Sequence, residues 1–133
     1  MLTGLRDGWI GADRGTARSV FLPVGKGFVA MRFMVQFWIP THNGNEVVRS
    51  GKIEKVFKKL GEDFRPEAMY FYPADGMRAG CMFFQTDNPA VCAAIGERMW
   101  FGLQAQIKVT PVMNGEDLGK GLTEMPKILE NYA

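Results

Sequence analysis

Hydrophobic and polar positions along this chain change their period several times, and each change marks an element. From Met31 the run Arg32-Phe-Met-Val-Gln-Phe-Trp-Ile39 alternates. It puts Phe33, Val35, Phe37 and Ile39 on one side and Arg32, Met34, Gln36 and Trp38 on the other, the mark of a strand with one wholly apolar face. Pro40 ends it, and Thr41-His42-Asn43-Gly44-Asn45 reads as a loop of helix-capping side chains. Over 46–64 the spacing turns helical: Ile53, Val56, Phe57, Leu60 and Phe64 recur at three and four, with Lys52, Glu54, Lys55, Lys58 and Lys59 largely on the remaining surface. Gly51 is a weak point near its start, and Gly61 with Pro66 brackets its end.

Residues 66–86 predict two strands, 67–74 and 77–86, joined by Asp75-Gly76 in a type I′ turn, where both residues need positive φ. That loop sets the register. Tyr70, Tyr72, Ala79, Cys81 and Phe83 share one face, and Met69, Phe71, Arg78, Gly80 and Met82 share the other. Both faces are too apolar to stand in water, so each needs cover. Asp87-Asn88-Pro89 opens a helix over 89–100, with Val91, Ala94, Ile95 and Met99 inward and Trp100-Phe101-Gly102 closing it. A fourth strand lies in 104–113, where Ala105, Ile107 and Val109 alternate with Gln106, Lys108 and Thr110. Asn114 caps a last helix that carries Leu118, Leu122, Met125, Ile128, Leu129 and Tyr132, with a kink or restart at Pro126. The order β-α-β-β-α-β plus a C-terminal helix is α+β and ferredoxin-like, with both core helices on one face of an antiparallel sheet. The opposite face, with Gln36, Trp38, Gln106, Lys108 and Thr110 beside one hairpin face, is best covered by a second copy.

Residues 1–30 have no sustained period and contain six glycines. Lys26-Gly27 is encoded by a purine run like a bacterial ribosome-binding site, just ahead of Met31. The expectation is that 1–30 is an N-terminal extension outside the core fold and that 31–133 is the domain. Of the 16 basic and 14 acidic side chains, four and two fall in 1–30, so the remainder is balanced at twelve each. Nothing in that balance builds a phosphate-binding patch, which argues against nucleic acid. The lysines of 52–59 read as a solvated helix face. Cys81 and Cys92 form no CxxC pair, and with a single His there is no zinc-finger spacing. They read as small buried hydrophobes in a reducing cytoplasm, and no run approaches a membrane span.

The opening MRFMVQFWIP, the hairpin PEAMYFYPADGMRAGCMFF and the ending KVTPVMNGEDL resemble the dimeric α/β-barrel superfamily, and within it a group of small uncharacterised bacterial proteins. The resemblance covers 31–133 and implies a homodimer packed sheet to sheet, with the closing helix assisting. The superfamily includes cofactor-free antibiotic-type monooxygenases, muconolactone isomerase-like enzymes, haem-handling members and members of no settled activity. No reaction is implied for this chain by fold alone.

Two functional readings follow. One is a monooxygenase or isomerase acting without cofactor on a small hydrophobic or aromatic compound. The other is a homodimer that binds a small molecule, or only holds an assembly, without catalysis. The imidazole of His42 and the phenol of Tyr70 are the candidate catalytic groups. Against this, His42 also reads as an exposed loop residue, and its loop position suits a haem axial ligand poorly. Trp38, Tyr72, Arg78, Cys81 and Trp100 are the candidate substrate contacts: Arg78 to clamp a carboxylate or enolate, the aromatics to wall a pocket. The plainer alternatives are an ion pair for Arg78 and core or dimer packing for the aromatics. The pocket is expected between sheet and helices, near 40–45, with Tyr70, Tyr72 and Cys81 facing the helices and Arg78 facing the dimer. No GxGxxG, Walker, HExxH or GxSxG pattern is present, and neither metal nor cofactor is called for.

Overall fold

A computed structural model describes residues 30–133. The expectation for 1–30 therefore lies, but for Ala30, outside the described residues. The elements are β1 (Met31–Ile39), α1 (Thr41–Arg49), α2 (Lys52–Phe64), β2 (Ala68–Ala74), β3 (Met77–Thr86), α3 (Ala90–Leu103), β4 (Gln106–Val112), α4 (Gly115–Leu122) and α5 (Met125–Tyr132). The four strands form one antiparallel sheet in the order β2-β3-β1-β4, with α2 and α3 against one face. This is the α+β, ferredoxin-like arrangement that the element order implies.

The core lies between that face and the helices. Val35, Phe37 and Ile39 of β1 and Met82 and Phe84 of β3 are buried against Leu60 and Phe64 of α2 and Ile95, Met99 and Leu103 of α3. Ile107 and Val109 pack at its margin, so the apolar faces read from β1 and β4 are the covered ones. Phe64 and Phe84 meet edge to face at 6.5 Å, a favoured aromatic geometry. The hairpin turn is as the Asp-Gly pair demands, with Asp75 at φ 54° and Gly76 at φ 76°. Both sheet edges carry a proline, Pro73 in β2 and Pro111 in β4, which withholds a backbone donor from any added strand.

Three boundaries differ from the sequence reading. Thr41–Asn45 is the first turn of α1 rather than a loop, since Pro40 carries the chain straight into helix and Pro40 O accepts from Gly44 N at 2.8 Å. The helical run to 64 is then broken at Ser50-Gly51, where Gly51 sits at φ 77° and starts α2 on a new axis. The third helix runs on to Leu103, with Gln104 taking the left-handed terminating position that glycine usually fills. At the C-terminus the restart at Pro126 is as expected. Asn114 caps α4 in a reciprocal box with Asp117: Asp117 N donates to Asn114 Oδ1 at 2.8 Å and Asn114 N to Asp117 Oδ2 at 3.1 Å. Neither α4 nor α5 has a buried residue.

Candidate functional site

The strand period decides which side chains meet on each side of the sheet. In the observed register Gly80 stands between Phe37 and Phe71, Met82 between Val35 and Met69, and Cys81 between Gln36 and Tyr70. The two hairpin faces are thus composed as the turn register requires. Their orientation is the reverse of the expectation: Phe71 and Arg78 are on the helix side, whereas Tyr70, Tyr72 and Cys81 lie on the open side. Ring contacts report the same division, since Phe71 meets Phe37 and Phe57 while Tyr70 meets Phe83. The physical reason is Gly80. A Cβ at Gly80 would overlap the Tyr70 carbonyl oxygen and approach Phe37 Cε2 to 2.7 Å. Glycine there lets Phe37 lie flat across β3, which places the Gly80 side of the hairpin over the core.

On the helix side, between α1, α2 and the hairpin, lies a groove of about 740 Å³, within the range of small-molecule sites. It is where a pocket was expected, at the strand ends beside 40–45. Its wall is an aromatic trio: Phe57 is 5.2 Å from Phe37 and 5.1 Å from Phe71, and Phe37 is 6.1 Å from Phe71, centroid to centroid. Ile53 and Val48 extend the apolar wall, and Arg78 provides a cation in the lining. The guanidinium of Arg78 lies over the α1 backbone, where a Cβ at Gly44 would come within 2.8 Å of Nη1. That Nη1 donates to Asn45 Oδ1 at 3.0 Å, and among the described residues Arg78 has no carboxylate partner. An arginine held by a neutral amide keeps its charge available to an incoming anion.

The other candidates are dispersed. Tyr72 lies in the groove's lining at the hairpin edge, and its phenol is pushed up, first by burial and then by the Cys81 thiol beside it, with Gln36 opposing. Trp38, Tyr70 and Cys81 share the open sheet face with it. The Trp38 indole N–H is buried there without an acceptor among the described residues. His42 is exposed on α1, one residue from the lining Thr41 but outside the lining itself. Trp100 is half-exposed on α3 against Gly96, whose added Cβ would meet its ring at 3.1 Å, and it is not part of the hairpin groove's lining. The sequence reading missed Phe57 and Phe71 as wall and Asn45 as the holder of Arg78. Phe71 was legible as sharing a face with Arg78, whereas the Asn45 contact joins residues 33 apart and has no local signal. Cys92 on α3 is partly buried, which pushes its thiol up. Among the described residues no group of three or more His, Cys, Asp or Glu is placed to hold a metal ion, and no helix is long and apolar enough to cross a membrane.

Residues 31–126 match the family described as "Domain of unknown function (DUF3303)". No curated protein matches the chain. Among solved structures, the solution NMR structure of LFR1 1, a de novo designed protein with ferredoxin fold, is similar at 15% identity and a TM-score of 0.38, covering 66% of this chain and 88% of that one.

Proposed function

From the premise that this chain belongs to the DUF3303 family, which brings no reaction with it, we propose that it is a homodimer that binds a small apolar or aromatic monoanion in the hairpin groove. The observation that carries the reading is Arg78, a cation with a neutral partner set in a wall of three packed phenylalanine rings. The flat rings suit an aromatic or conjugated body, and the guanidinium suits a carboxylate or enolate. Cofactor-free oxygenation or isomerisation is the alternative chemistry of the same groove, and it needs a group that takes a proton from the ligand. The Tyr72 phenol points to the opposite sheet face, beside Cys81 and Gln36, and His42 stands outside the lining, so neither is placed to take that proton. Binding therefore leads over turnover.

The dimer reading is supported by the sheet's open face. It exposes the rings of Tyr70 and Tyr72, an apolar area that a second copy would remove from water. The edge prolines disfavour strand addition, which favours contact through the sheet face over contact through its edges. A panel of aromatic acids, their neutral amides and quinols, followed by thermal shift and calorimetry, tests the groove. Acids are expected to stabilise the protein while their amides do not, and Arg78→Gln is expected to weaken binding about tenfold or more. Stabilisation that survives both Arg78→Gln and Phe71→Ala would reject the groove. Light scattering on wild type and Thr110→Asp tests the dimer separately, with a monomer expected for the variant alone.

A further inference from the structure

A second groove, of about 650 Å³, runs between α2 and α3 on the outside of the helical layer. Its size is within the range of small-molecule sites, and its lining is mostly apolar. Both helices build the floor. Val56 of α2 faces Gly102 of α3, where a Cβ would come within 3.0 Å of the valine, so the α3 side of the floor is bare backbone. Phe101 flanks it with a ring that is 81% exposed.

The cations in the lining fall into two pairs. Lys59 and Arg98, towards the C-terminal end of α2, share Asp63 at 3.4 and 3.8 Å. Lys52 and Lys55, in the first turn of α2, form no ion pair among the described residues, and Glu54 and Glu62 of the same helix lie outside the lining. Three residues apart, these two lysines share one face of the helix, about 4.5 Å from each other along its axis. They are therefore more than a solvated face, since they place two uncompensated charges at one end of an apolar channel. A carboxylate would compensate one of the two. A phosphate monoester carries about −1.5 to −2 charge at neutral pH and three acceptor oxygens, which matches both lysines, with Ser50 in the same lining. The lining continues along α2 from there to Leu60, so the remainder of the ligand is elongated and apolar. We propose that the α2/α3 groove binds a phosphate monoester with an alkyl tail, its head on Lys52 and Lys55 and its tail over Val56 and Gly102 beside the Phe101 ring. This site shares no lining residue with the hairpin groove and takes a ligand of different charge and shape, so it stands whether or not that reading holds.

Calorimetry on the full chain tests it with octyl phosphate below its micellar concentration, against inorganic phosphate, octanol and octanoate. Octyl phosphate is expected to bind at least about tenfold more tightly than each of the three, which lack the tail, the head and half of the head's charge respectively. Lys52→Gln with Lys55→Gln is expected to weaken it about tenfold or more, and Phe101→Ala about threefold. Lys58→Gln, on the same helix but outside the lining, and Arg78→Gln in the hairpin groove are expected to leave it unchanged. Lys52, Lys55, Lys58 and Phe101 are exposed, so melting temperatures should hold and lost binding cannot be laid to unfolding. Phosphatidylcholine vesicles with and without phosphatidic acid distinguish a free amphiphile from a lipid headgroup, and no retention on either is expected. Retention on phosphatidic acid without a response to octyl phosphate would assign the lysines to a membrane surface and overturn the seated tail. Inorganic phosphate binding as tightly as octyl phosphate, or an equal loss in Lys58→Gln, would overturn the site itself.

Discussion

Gly80→Ala is the substitution that most directly probes how the hairpin groove is built. The added Cβ would sit 2.7 Å from Phe37 Cε2 and nearer still to Phe37 Cζ and the Tyr70 carbonyl oxygen. Favourable carbon contacts lie at about 3.5–4.0 Å, so the ring alone must retreat by about 0.8 Å or more. A side chain on the surface could swing aside, but Phe37 is 1% exposed and bounded by Phe57 and Phe71. The carbonyl belongs to the neighbouring strand and moves only with β2. Overpacking of this kind costs about 1–3 kcal/mol, and a backbone atom among the contacts puts the expectation near about 3 kcal/mol. For a domain of this size that is a fall in Tm on the order of 12 °C. Urea unfolding followed by tryptophan fluorescence measures it. In a double-mutant cycle with Phe37→Leu, the ring's share should be relieved and the carbonyl's retained, giving a coupling of about 1 kcal/mol or more. The same displacement of Phe37 should blunt any stabilisation by aromatic acids. A Gly80→Ala protein within about 0.5 kcal/mol of wild type would refute the account of why this hairpin face turns towards the helices.

Two further expectations concern α3. Thr86 is 1% exposed, and its Oγ1 accepts from Asn88 N at 3.0 Å and donates to Asn88 O at 3.3 Å, so Thr86→Val should cost about 1 kcal/mol in urea unfolding by taking the acceptor from Asn88 N, whereas Asn88 O keeps Val91 N as a donor. Burial raises the Cys92 thiol above its unfolded value of about 8.5, so the stability tied to its protonated form is complete below about that pH and is lost as pH rises through the folded value. Alkylation of native Cys92 should accordingly set in at higher pH than in the denatured chain, and Cys92→Ser should remove that part of the alkaline loss of stability.

Nearly all of the secondary structure was legible along the chain because it depends on local properties. Alternation over 31–39 and 104–113, the three-and-four spacing of 53–64, the Asp75-Gly76 turn and the Asn114 cap each act within a few residues of where they are written. Strand order followed from the element order, and the pairing of side chains within the hairpin followed from its turn. Thr41–Asn45 was misread because residues that cap a helix also serve in its first turn, and only the backbone direction after Pro40 distinguishes the two. Which hairpin face turns towards the helices was not legible, since Tyr70, Tyr72 and Cys81 are nearly as apolar as Met69, Phe71 and Met82. Period-2 alternation names two faces without orienting them. The contact of Gly80 with a phenylalanine 43 positions earlier in the chain decides that orientation. The hold of Asn45 on Arg78 is of the same kind, and so is the placing of the lysine row of α2 opposite Arg98 of α3. Each is a juxtaposition of elements remote in sequence, created when the sheet closes against its helices, and no local pattern carries it.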